Sequence, residues 1–338
     1  MKKIISDLRV KFAIQRLLWS HAKLAGVALP PVKVTFSRSS NFAFDAVFKR
    51  KASGALELDF AGPYPEMAKR IARGRIGAYL YWFSLCPNDI AEAGFCLDDG
   101  DQPSEMMFTP SSRSRKKSAV PDPYFFNNHG FEKMREAASR SNQDWHSRNG
   151  DIRWRGGFNG PGRLDFSDGS AQDQTVQARL RMALIGQNIP GFDAGFVGVN
   201  ERATQSVFKH FGLLKPQIPE VDWLNDKFAI DIDGWTNSWS NFLVRMHLGC
   251  CVLKVDSQLG YRQWYYDRIK PWEHFVPVKS DMSDLAEKVD WVRSHDAKAK
   301  QIAENGQAFA RTMTFESESR VAAEIITNAV RASKNASR

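Results

Sequence analysis

The sequence predicts an α/β protein built from two Rossmann-like, doubly wound domains that face a central cleft. Its 338 residues are long for one core and suit two domains of about 150 residues each. From residue 149 onward, short apolar strands alternate with helical stretches, which is the pattern of a parallel sheet. We therefore expect an N-terminal domain at 1–148, a C-terminal domain at 149–315, and a last helix at 316–338 that packs back on the first domain.

Apolar spacing in the first domain indicates one long helix and several short strands. Lys2–Ala25 combines a broad apolar face with six lysines and arginines, as in a helix that packs on its own domain or lies at a membrane interface. The basic, proline-broken residues 109–123 indicate a surface loop. Strands are predicted at 32–36, 55–60 and 93–97, and 78–83 fits either a strand or the end of a helix.

The second domain alternates more regularly. We predict strands near residue 152 and at 192–197, 227–232, 250–255 and 274–278, with helices at 176–184, 202–212, 239–248, 261–268, 283–295 and 297–312. In open parallel sheets, ligands bind at the carboxyl ends of the strands beside helix N-termini. The loops that follow these strands are therefore expected to form the functional site.

The charge balance favours an anionic partner. The chain has 47 Lys and Arg residues against 38 Asp and Glu residues, a net charge of +9. Such a balance suits nucleotide diphosphates, acidic lipids or phosphorylated glycans. The basic residues are dispersed and match no nucleic-acid-binding module, so no nucleic acid is expected as a partner.

Cysteine usage and the first residues bear on location. The four cysteines fit neither a disulfide framework nor a zinc spacing, which favours a reducing compartment. The first residues lack the features of a signal peptide, and no segment approaches the roughly 20 apolar residues that span a bilayer. We expect a cytoplasmic protein, with peripheral attachment to an anionic inner-membrane surface through residues 1–25 as an alternative.

Two segments of the second domain have the composition of anion-binding loops. The predicted strand 227–232 is followed by Gly234, Ser238 and Ser240 before an apolar helical run, an order that aims N–H and hydroxyl groups at a phosphate. Serines at a helix start can also be caps without any ligand. The glycine-rich segment 154–163 follows another strand, and its arginines can neutralise a phosphate through forked hydrogen bonds. The same composition also occurs in ordinary turns.

Together these segments resemble glycosyltransferase family 90, which includes lipopolysaccharide-modifying and capsule-associated enzymes and the Rumi-type protein O-glucosyltransferases. The resemblance is strongest over residues 152–309. It rests on the order and spacing of short motifs: Trp154-Arg155-Gly156, Asp233-Gly234 with Ser238-Trp239-Ser240, Val252-Leu253-Lys254, Trp264-Tyr265-Tyr266, Pro271-Trp272 with His274 and Pro277-Val278, and Asp281 with Asp284-Leu285.

The resemblance implies the GT-B architecture and an inverting, metal-independent transfer from a nucleotide sugar, most simply a UDP-sugar, without a further cofactor. The residues predicted to bind the donor come from these motifs and their neighbours. They are Arg155, Gly156, Arg163, Asp193, Gly234, Ser238, Ser240 and Lys254. His274 either orients a loop or reaches the sugar.

An acidic turn supplies the implied catalytic base. Relatives place an aspartate, one residue and a proline after a strand of the first domain, which matches Asp101 and Pro103. A carboxylate there can accept the proton of the acceptor hydroxyl. Asp98 and Asp99 are expected to act on the pKa of this base through like charge. A solvated acidic turn without catalytic function is the alternative.

The same residues also allow a metal hypothesis. Asp99-x-Asp101 and Asp231-x-Asp233 repeat the Asp-x-Asp pattern by which other glycosyltransferases hold Mn²⁺ or Mg²⁺. The pattern is short and frequent by chance, and the resemblance implies none, so no metal is expected.

The sequence thus predicts an inverting glycosyltransferase that moves a sugar from a UDP donor to a bacterial surface glycan such as lipopolysaccharide core or capsule. A non-catalytic nucleotide- or glycan-binding module on the same fold and a protein O-glycosyltransferase are the alternatives.

Overall fold

Two sheets, one in each of two units, form the framework of the protein. The computed structural model describes residues 2–62 and 72–336, and side chains are described from residue 8 in the first range and residue 75 in the second. Contacts divide the chain into a first unit of Met1–Glu132, Arg262–Trp264 and Met313–Arg338 and a second unit of Lys133–Tyr261 and Tyr265–Thr312. The division thus falls at Glu132, where the sequence suggested 148, and the last helix groups with the first unit. The GT-B arrangement around a cleft stays a prediction.

The sheet of the first unit is mixed. Its six strands lie in the order β1-β3-β2-β4-β5-β6, and β2 runs antiparallel to both of its neighbours. The expectation of a doubly wound parallel sheet is therefore corrected here, because residues 51–55 form a tight hairpin that is too short for a crossover helix. The strands are β1 Val32–Thr35, β2 Asp45–Arg50, β3 Leu56–Phe60, β4 Glu92–Cys96, β5 Phe108–Thr109 and β6 Ser118–Ala119.

Helices of the first unit meet through aromatic side chains. The rings of Trp82, Phe126 and Phe315 have centroids 5.3–5.8 Å apart and join three of these helices. Residues 78–83, which fitted a strand or a helix end, are helical. The helices are α1 Lys2–Ala25, α2 Ala72–Ser84, α3 Pro123–Asn127 and α10 Phe315–Ala336.

Residues 262–264 belong to the first unit because of specific hydrogen bonds. Ser112 and Arg262 exchange backbone hydrogen bonds of 3.1 and 2.9 Å, and Trp264 Nε1 donates to Glu318 Oε2 at 2.6 Å. The predicted helix at 261–268 is therefore wrong: the backbone is drawn into an extended bridge, and only Tyr266–Arg268 forms a 3-10 turn.

The sheet of the second unit is entirely parallel, as predicted. Its strands are β7 Asn149–Gly156, β8 Phe192–Phe196, β9 Asp226–Asp231, β10 Cys251–Val255 and β11 Val276–Val278, in the order β11-β10-β9-β7-β8. The chain therefore reverses its direction of progress across the sheet between β7 and β9. The helices are α4 Glu132–Arg140, α5 Ala178–Gly186, α6 Arg202–His210, α7 Asn241–His247, α8 Leu285–Ser294 and α9 Asp296–Thr312.

The centre of this sheet is buried on both faces. Phe228 and Ile230 of β9 pair in register with Cys251 and Leu253 of β10, and Ile152 of β7 lies opposite Phe228. Near-continuous apolar runs are typical of central parallel strands. Their burial fixes where the loops leave the sheet. No helix in the described ranges is long and apolar enough to cross a membrane.

Candidate functional site

A cavity of about 350 Å³ lies at the carboxyl ends of β7 and β9. This is the point at which the strand order reverses, the usual location of a ligand site in an open parallel sheet. Its walls are the loop after β7, the loop after β9, the turn after β10 and the first turn of α5. The residues that define its shape and polarity are Gly160, Gly162, Gln177, Arg181, Gly234 and Thr236.

Glycines bring the walls of the cavity together. Gly160 has φ +149°, and a Cβ there would lie 3.5 Å from the backbone of Gly234 in the facing loop. Gly162 has φ +101°, and a Cβ there would lie only 2.8 Å from the backbone nitrogen of Gln177. These positions combine a backbone conformation that favours glycine with close approach of a second segment. The loop after β7 is thereby seated against the start of α5.

The guanidinium of Arg179 connects the two principal loops. It donates to the carbonyls of Gly157, Ile232 and Asp233 at 3.0, 3.2 and 3.0 Å and to the side-chain amide oxygen of Asn159. Burial lowers the pKa of Arg179, and the carboxylates of Asp233 and Asp231 oppose that effect. Arg179 is thus a structural link at the site, with its donors already committed.

Arg181 has far fewer partners. Its side chain is 2% exposed, and its one hydrogen bond within the described residues is a long one, 3.5 Å from Nη1 to the carbonyl of Asp281. Within the described part of the chain, Arg181 Nε, Thr236 Oγ1 and Gln177 Oε1 have no hydrogen-bond partner, although all three residues are buried and line the cavity. Buried polar atoms are normally paired, so a polar ligand is expected here.

The start of α5 adds to this polarity. α5 has nine residues, and the first N–H groups of any α-helix have no acceptor within the helix. Gln177, the residue before α5, makes no side-chain capping bond. A buried guanidinium beside free N–H groups can bind an anion such as a diphosphate.

Lys254 lies in a buried ion triad beneath the cavity. Its ammonium is 2.7 Å from Asp231 and 3.1 Å from Asp233, and all three side chains are buried. Against the cost of burial, these two carboxylates raise the pKa of Lys254, so it stays charged. The carboxylates of the second Asp-x-Asp pair thus share one cation from the protein itself. A contact of Lys254 with a donor stays a prediction.

Arg155 and Asp193 pair with each other. Arg155 Nη2 lies 2.8 Å from the Asp193 carboxylate, and the guanidinium also donates to the carbonyls of Asp193 and Pro216. Burial raises the pKa of Asp193, but the Arg155 contact outweighs it and the net pKa is lowered. Gly156 is needed because a Cβ there would lie 2.4 Å from the indole of Trp154. None of these residues lines the cavity, and their donor-binding roles stay predictions.

Arg163 lies beside the cavity on an exposed loop. It forms ion pairs with Asp165 and Asp173, the latter at 2.6 Å, and Nε donates to Thr175 Oγ1. Its neighbours Gly162 and Thr175 both line the cavity. Its half-exposed side chain would have to exchange these carboxylates for a ligand.

Ser238 and Ser240 lie in the turn between β9 and α7. Ser240 is at the N-cap position of α7, where its side chain makes no capping hydrogen bond. Burial raises the pKa of Asp231, but Lys254, then Ser238 and Asn241, bring its net pKa below the usual value. Gly234 of the same loop lines the cavity, whereas the two serines do not.

His274 holds the loop that contains it. Its Nδ1 accepts the backbone N–H of Lys270 at 3.0 Å, and its ring packs against Phe309 at 5.4 Å. This geometry fits the loop-orienting role that the sequence left open.

The acidic turn after β4 contains a carboxylate cluster in the first unit. Asp98 is buried and accepts the backbone N–H groups of Gly100 and Gln102, both at 3.2 Å. Burial, followed by the hydrogen-bonded Asp101 and the charge of Asp99, raises the pKa of Asp98 to about 7. Asp99 pairs with Arg75. The like-charge effect expected in this turn therefore acts on Asp98 and, through the charge of Asp101, on Asp99.

No cluster of three or more metal-ligating side chains occurs within residues 8–62 and 75–336.

Comparison with known proteins places the chain in a family. The family model described as Glycosyl transferase family 90 matches residues 127–319, more than half of the chain. The chain belongs to glycosyl transferase family 90. The family 90 match contains the whole cavity described above, whereas Asp101 precedes it.

Individual relatives match only in part. Uncharacterized protein 035R of Invertebrate iridescent virus 3 is 36% identical over 43% of this chain and 14% of its own length. Protein O-glucosyltransferase 2 of Danio rerio is 38% identical over 31% of this chain and 21% of its own length. Protein O-glucosyltransferase 1 of Homo sapiens is 41% identical over 27% and 22%. This chain therefore spans less than a quarter of the length of each of these three relatives.

Among solved structures, HepE (Alr3699) of Anabaena in complex with UDP-glucose has a TM-score of 0.33 to this chain. It is 14% identical over 52% of this chain and 48% of that one.

The cavity of this family 90 protein contains residues that the sequence did not single out. Gln177, Arg179 and Arg181 were missed, whereas Thr236 belongs to the turn in which the sequence predicted hydroxyls aimed at a phosphate. Of the donor residues predicted by name, only Gly234 lines the cavity. The available signal was positional: residues 177–181 begin the helix that follows the glycine-rich loop. Arginine in a short helix otherwise predicts a solvated face.

Replacing Lys254 tests the ion triad. Lys254→Met leaves Asp231 and Asp233 buried without their cation, which is expected to lower the free energy of unfolding by about 3–5 kcal/mol. Arg140→Met, which breaks the exposed Arg140–Glu136 pair, is the control and should cost less than about 1 kcal/mol. Urea unfolding measures both. Equal small losses would show that the triad is not coupled to folding.

The raised pKa of Asp98 predicts a pH dependence of stability. Between the ordinary pKa near 4 and the folded pKa of about 7, the folded protein keeps a proton that the unfolded chain releases, so stability falls as pH rises. Asp98→Asn removes this loss. Its stability relative to the wild type should therefore rise by about 3 kcal/mol from pH 5 to pH 8. Urea unfolding at both pH values checks this, and a pH-independent difference would contradict it.

Proposed function

We propose that this chain is a glycosyltransferase that binds a UDP-sugar in the cavity of the second unit and transfers the sugar, with inversion, to a hydroxyl group. Membership of family 90 supports the reaction class. The observation that supports the location of the donor is the cavity at the reversal of strand order, where a buried guanidinium with one long hydrogen bond meets the start of α5.

The donor diphosphate fits the polarity of this cavity. Arg181 supplies a desolvated positive charge, Thr236 supplies a hydroxyl, and the first N–H groups of α5 supply main-chain donors. The resemblance to relatives implies that Arg163 also binds the diphosphate, and to do so its guanidinium would have to leave Asp165 and Asp173. These donors stabilise the negative charge that develops on the diphosphate as it departs.

The transfer itself is a direct displacement. The acceptor oxygen attacks the anomeric carbon, the bond from that carbon to the diphosphate oxygen breaks, and the acceptor proton passes to Asp101. We assign the base role to Asp101 from its position before Pro103. Asp98 lies in the same turn, where burial, followed by its contact with Asp101, raises the pKa of Asp98 to about 7. Charge is offset by protein donors, so no metal ion is required.

The acceptor belongs to one of two classes. Our first proposal for the acceptor is a bacterial surface glycan, either lipopolysaccharide core or capsule, which the protein modifies from the cytoplasm. The net charge of +9 favours such an anionic partner. A protein hydroxyl is the second, because several relatives are named protein O-glucosyltransferases. A donor screen with UDP-hexoses and UDP-pentoses, followed by assay on both acceptor classes, decides between them. Donor binding without transfer to either would favour a non-catalytic binding module.

Arg181 provides the sharpest test of donor binding. Arg181→Ala should weaken UDP binding by about 1.5–3 kcal/mol, the scale of a charged hydrogen bond, while Arg181→Lys should lose less because it keeps the charge. Isothermal titration calorimetry measures both. Arg140→Ala, an exposed arginine of α4, is the matched control and should bind UDP as the wild type does. Unchanged UDP affinity in a folded Arg181→Ala protein would place the donor elsewhere.

Asp101 is tested by turnover. Asp101→Asn keeps the size of the side chain but not its basicity, so turnover should fall by roughly a hundredfold or more with nearly unchanged UDP affinity. Steady-state kinetics and calorimetry on the same preparation separate the two effects. If Asp98→Asn abolishes turnover while Asp101→Asn does not, the base is Asp98.

A further inference from the structure

The long helix α1 has two apolar faces. One face is buried in the first unit and contains Val10, Ile14, Leu18 and Ala25. The other contains Leu8, Phe12 and Trp19, which are 61%, 74% and 69% exposed. At 3.6 residues per turn, these three side chains lie within about 40° of one another and about 140° from the buried face. We call Leu8, Phe12 and Trp19 the exposed stripe.

The stripe is unusual among the described residues. Twelve large apolar side chains are markedly exposed in the described ranges, and the four most exposed are Leu8, Phe12, Trp19 and Leu24 of this one helix. Single exposed apolar residues are ordinary, whereas clustered ones mark an interaction surface. The apolar surface also continues past the helix, because Trp19 borders an open groove of about 620 Å³ formed with residues 26–31.

Basic side chains flank the stripe. Arg16 and Lys23 are within about 80° of its first residue on one side, Arg9 lies slightly farther, and Lys11 is about 60° away on the other. Lys23 Nζ lies 5.7 Å from the ring of Trp19. Among the residues whose side chains the structure describes, none of these four forms a salt bridge. A tryptophan and a phenylalanine between lysines and arginines match the interface of an anionic bilayer in both polarity and charge.

We infer that the exposed stripe docks the first unit on an anionic membrane surface. The apolar side chains enter the boundary between headgroups and acyl chains, while Arg9, Arg16 and Lys23 contact acidic headgroups. The buried face holds α1 on its own domain at the same time, so packing and membrane contact are compatible. The stripe uses no residue of the donor cavity, and docking is independent of the proposed donor binding. The side chains of residues 2–7 and the whole of Met1 lie outside the described residues.

The test uses the full chain and vesicles of two compositions, pure phosphatidylcholine and phosphatidylcholine with one quarter phosphatidylglycerol. Sedimentation should show binding to the anionic vesicles that falls at least tenfold between 50 and 500 mM NaCl, with little binding to the neutral ones. Absence of binding to anionic vesicles at low salt would overturn the inference.

Variants separate the stripe from net charge. Phe12→Ser combined with Trp19→Ser should lower vesicle binding at least tenfold and leave the melting temperature and UDP affinity unchanged. Arg16→Gln and Lys23→Gln should each lower binding about fivefold. The controls are Val221→Ser, an exposed apolar residue of the second unit, and Arg140→Gln, an exposed arginine outside α1. If the control variants lose as much vesicle binding as the α1 variants, the binding is a nonspecific effect of net charge, and the role of the stripe is overturned.

A second copy of the chain is the competing occupant of this surface. Analytical ultracentrifugation without vesicles distinguishes the two. If the wild-type protein is a dimer and the Phe12→Ser/Trp19→Ser variant is a monomer, the stripe mediates self-association and membrane docking is overturned. A monomer with intact vesicle binding supports it.

Discussion

The site of the second unit depends on the guanidinium of Arg179. The reversal of strand order between β7 and β9 leaves a gap at the carboxyl ends of these strands, and two separate loops must be held across it. Arg179 donates to carbonyls in both loops and to Asn159. Gly160 faces Gly234 where the loops meet, and a Cβ on Gly160 would lie 3.5 Å from the Gly234 backbone. The guanidinium of Arg179 thus holds together the two loops that form the walls of the cavity.

Three buried cations at this site have three different functions. Arg179 donates to three backbone carbonyls and to Asn159, and it holds the backbone of two loops. Lys254 pairs with Asp231 and Asp233 and neutralises two carboxylates at the end of β9. Arg181 keeps most of its hydrogen-bonding capacity. A protein that buries a guanidinium with so few partners loses stability unless a ligand supplies them. Arg155, which the sequence suggested as a donor ligand, is paired with Asp193 and lies outside the cavity.

In the first unit, burial likewise gives different properties to side chains of the same type, both carboxylates and apolar residues. Asp98 is buried at the end of β4, and this burial raises its pKa to about 7, above that of an exposed aspartate. In α1, one apolar face completes the core and the other remains exposed beside basic residues. The sequence presented these as competing interpretations of the helix, and the geometry allows both at once.

Local pattern alone was enough to predict the parallel sheet of the second unit, since central strands such as β9 are apolar on both faces and end in glycine or polar turns. It also led to the family, through motifs that lie close together in the chain. The absence of a helix at 261–268 depended on a partner that is distant in sequence, because Ser112 lies 150 residues from Arg262. The hairpin of β2 and β3 is local, with Arg50 opposite Leu56, but β2 was not among the predicted strands. Tertiary structure likewise decided which arginine is available, because Arg155, Arg163, Arg179 and Arg181 differ only in what the fold places beside them. The sequence determines which residues are charged. The tertiary structure determines which of them are paired or buried, and therefore which can bind a ligand.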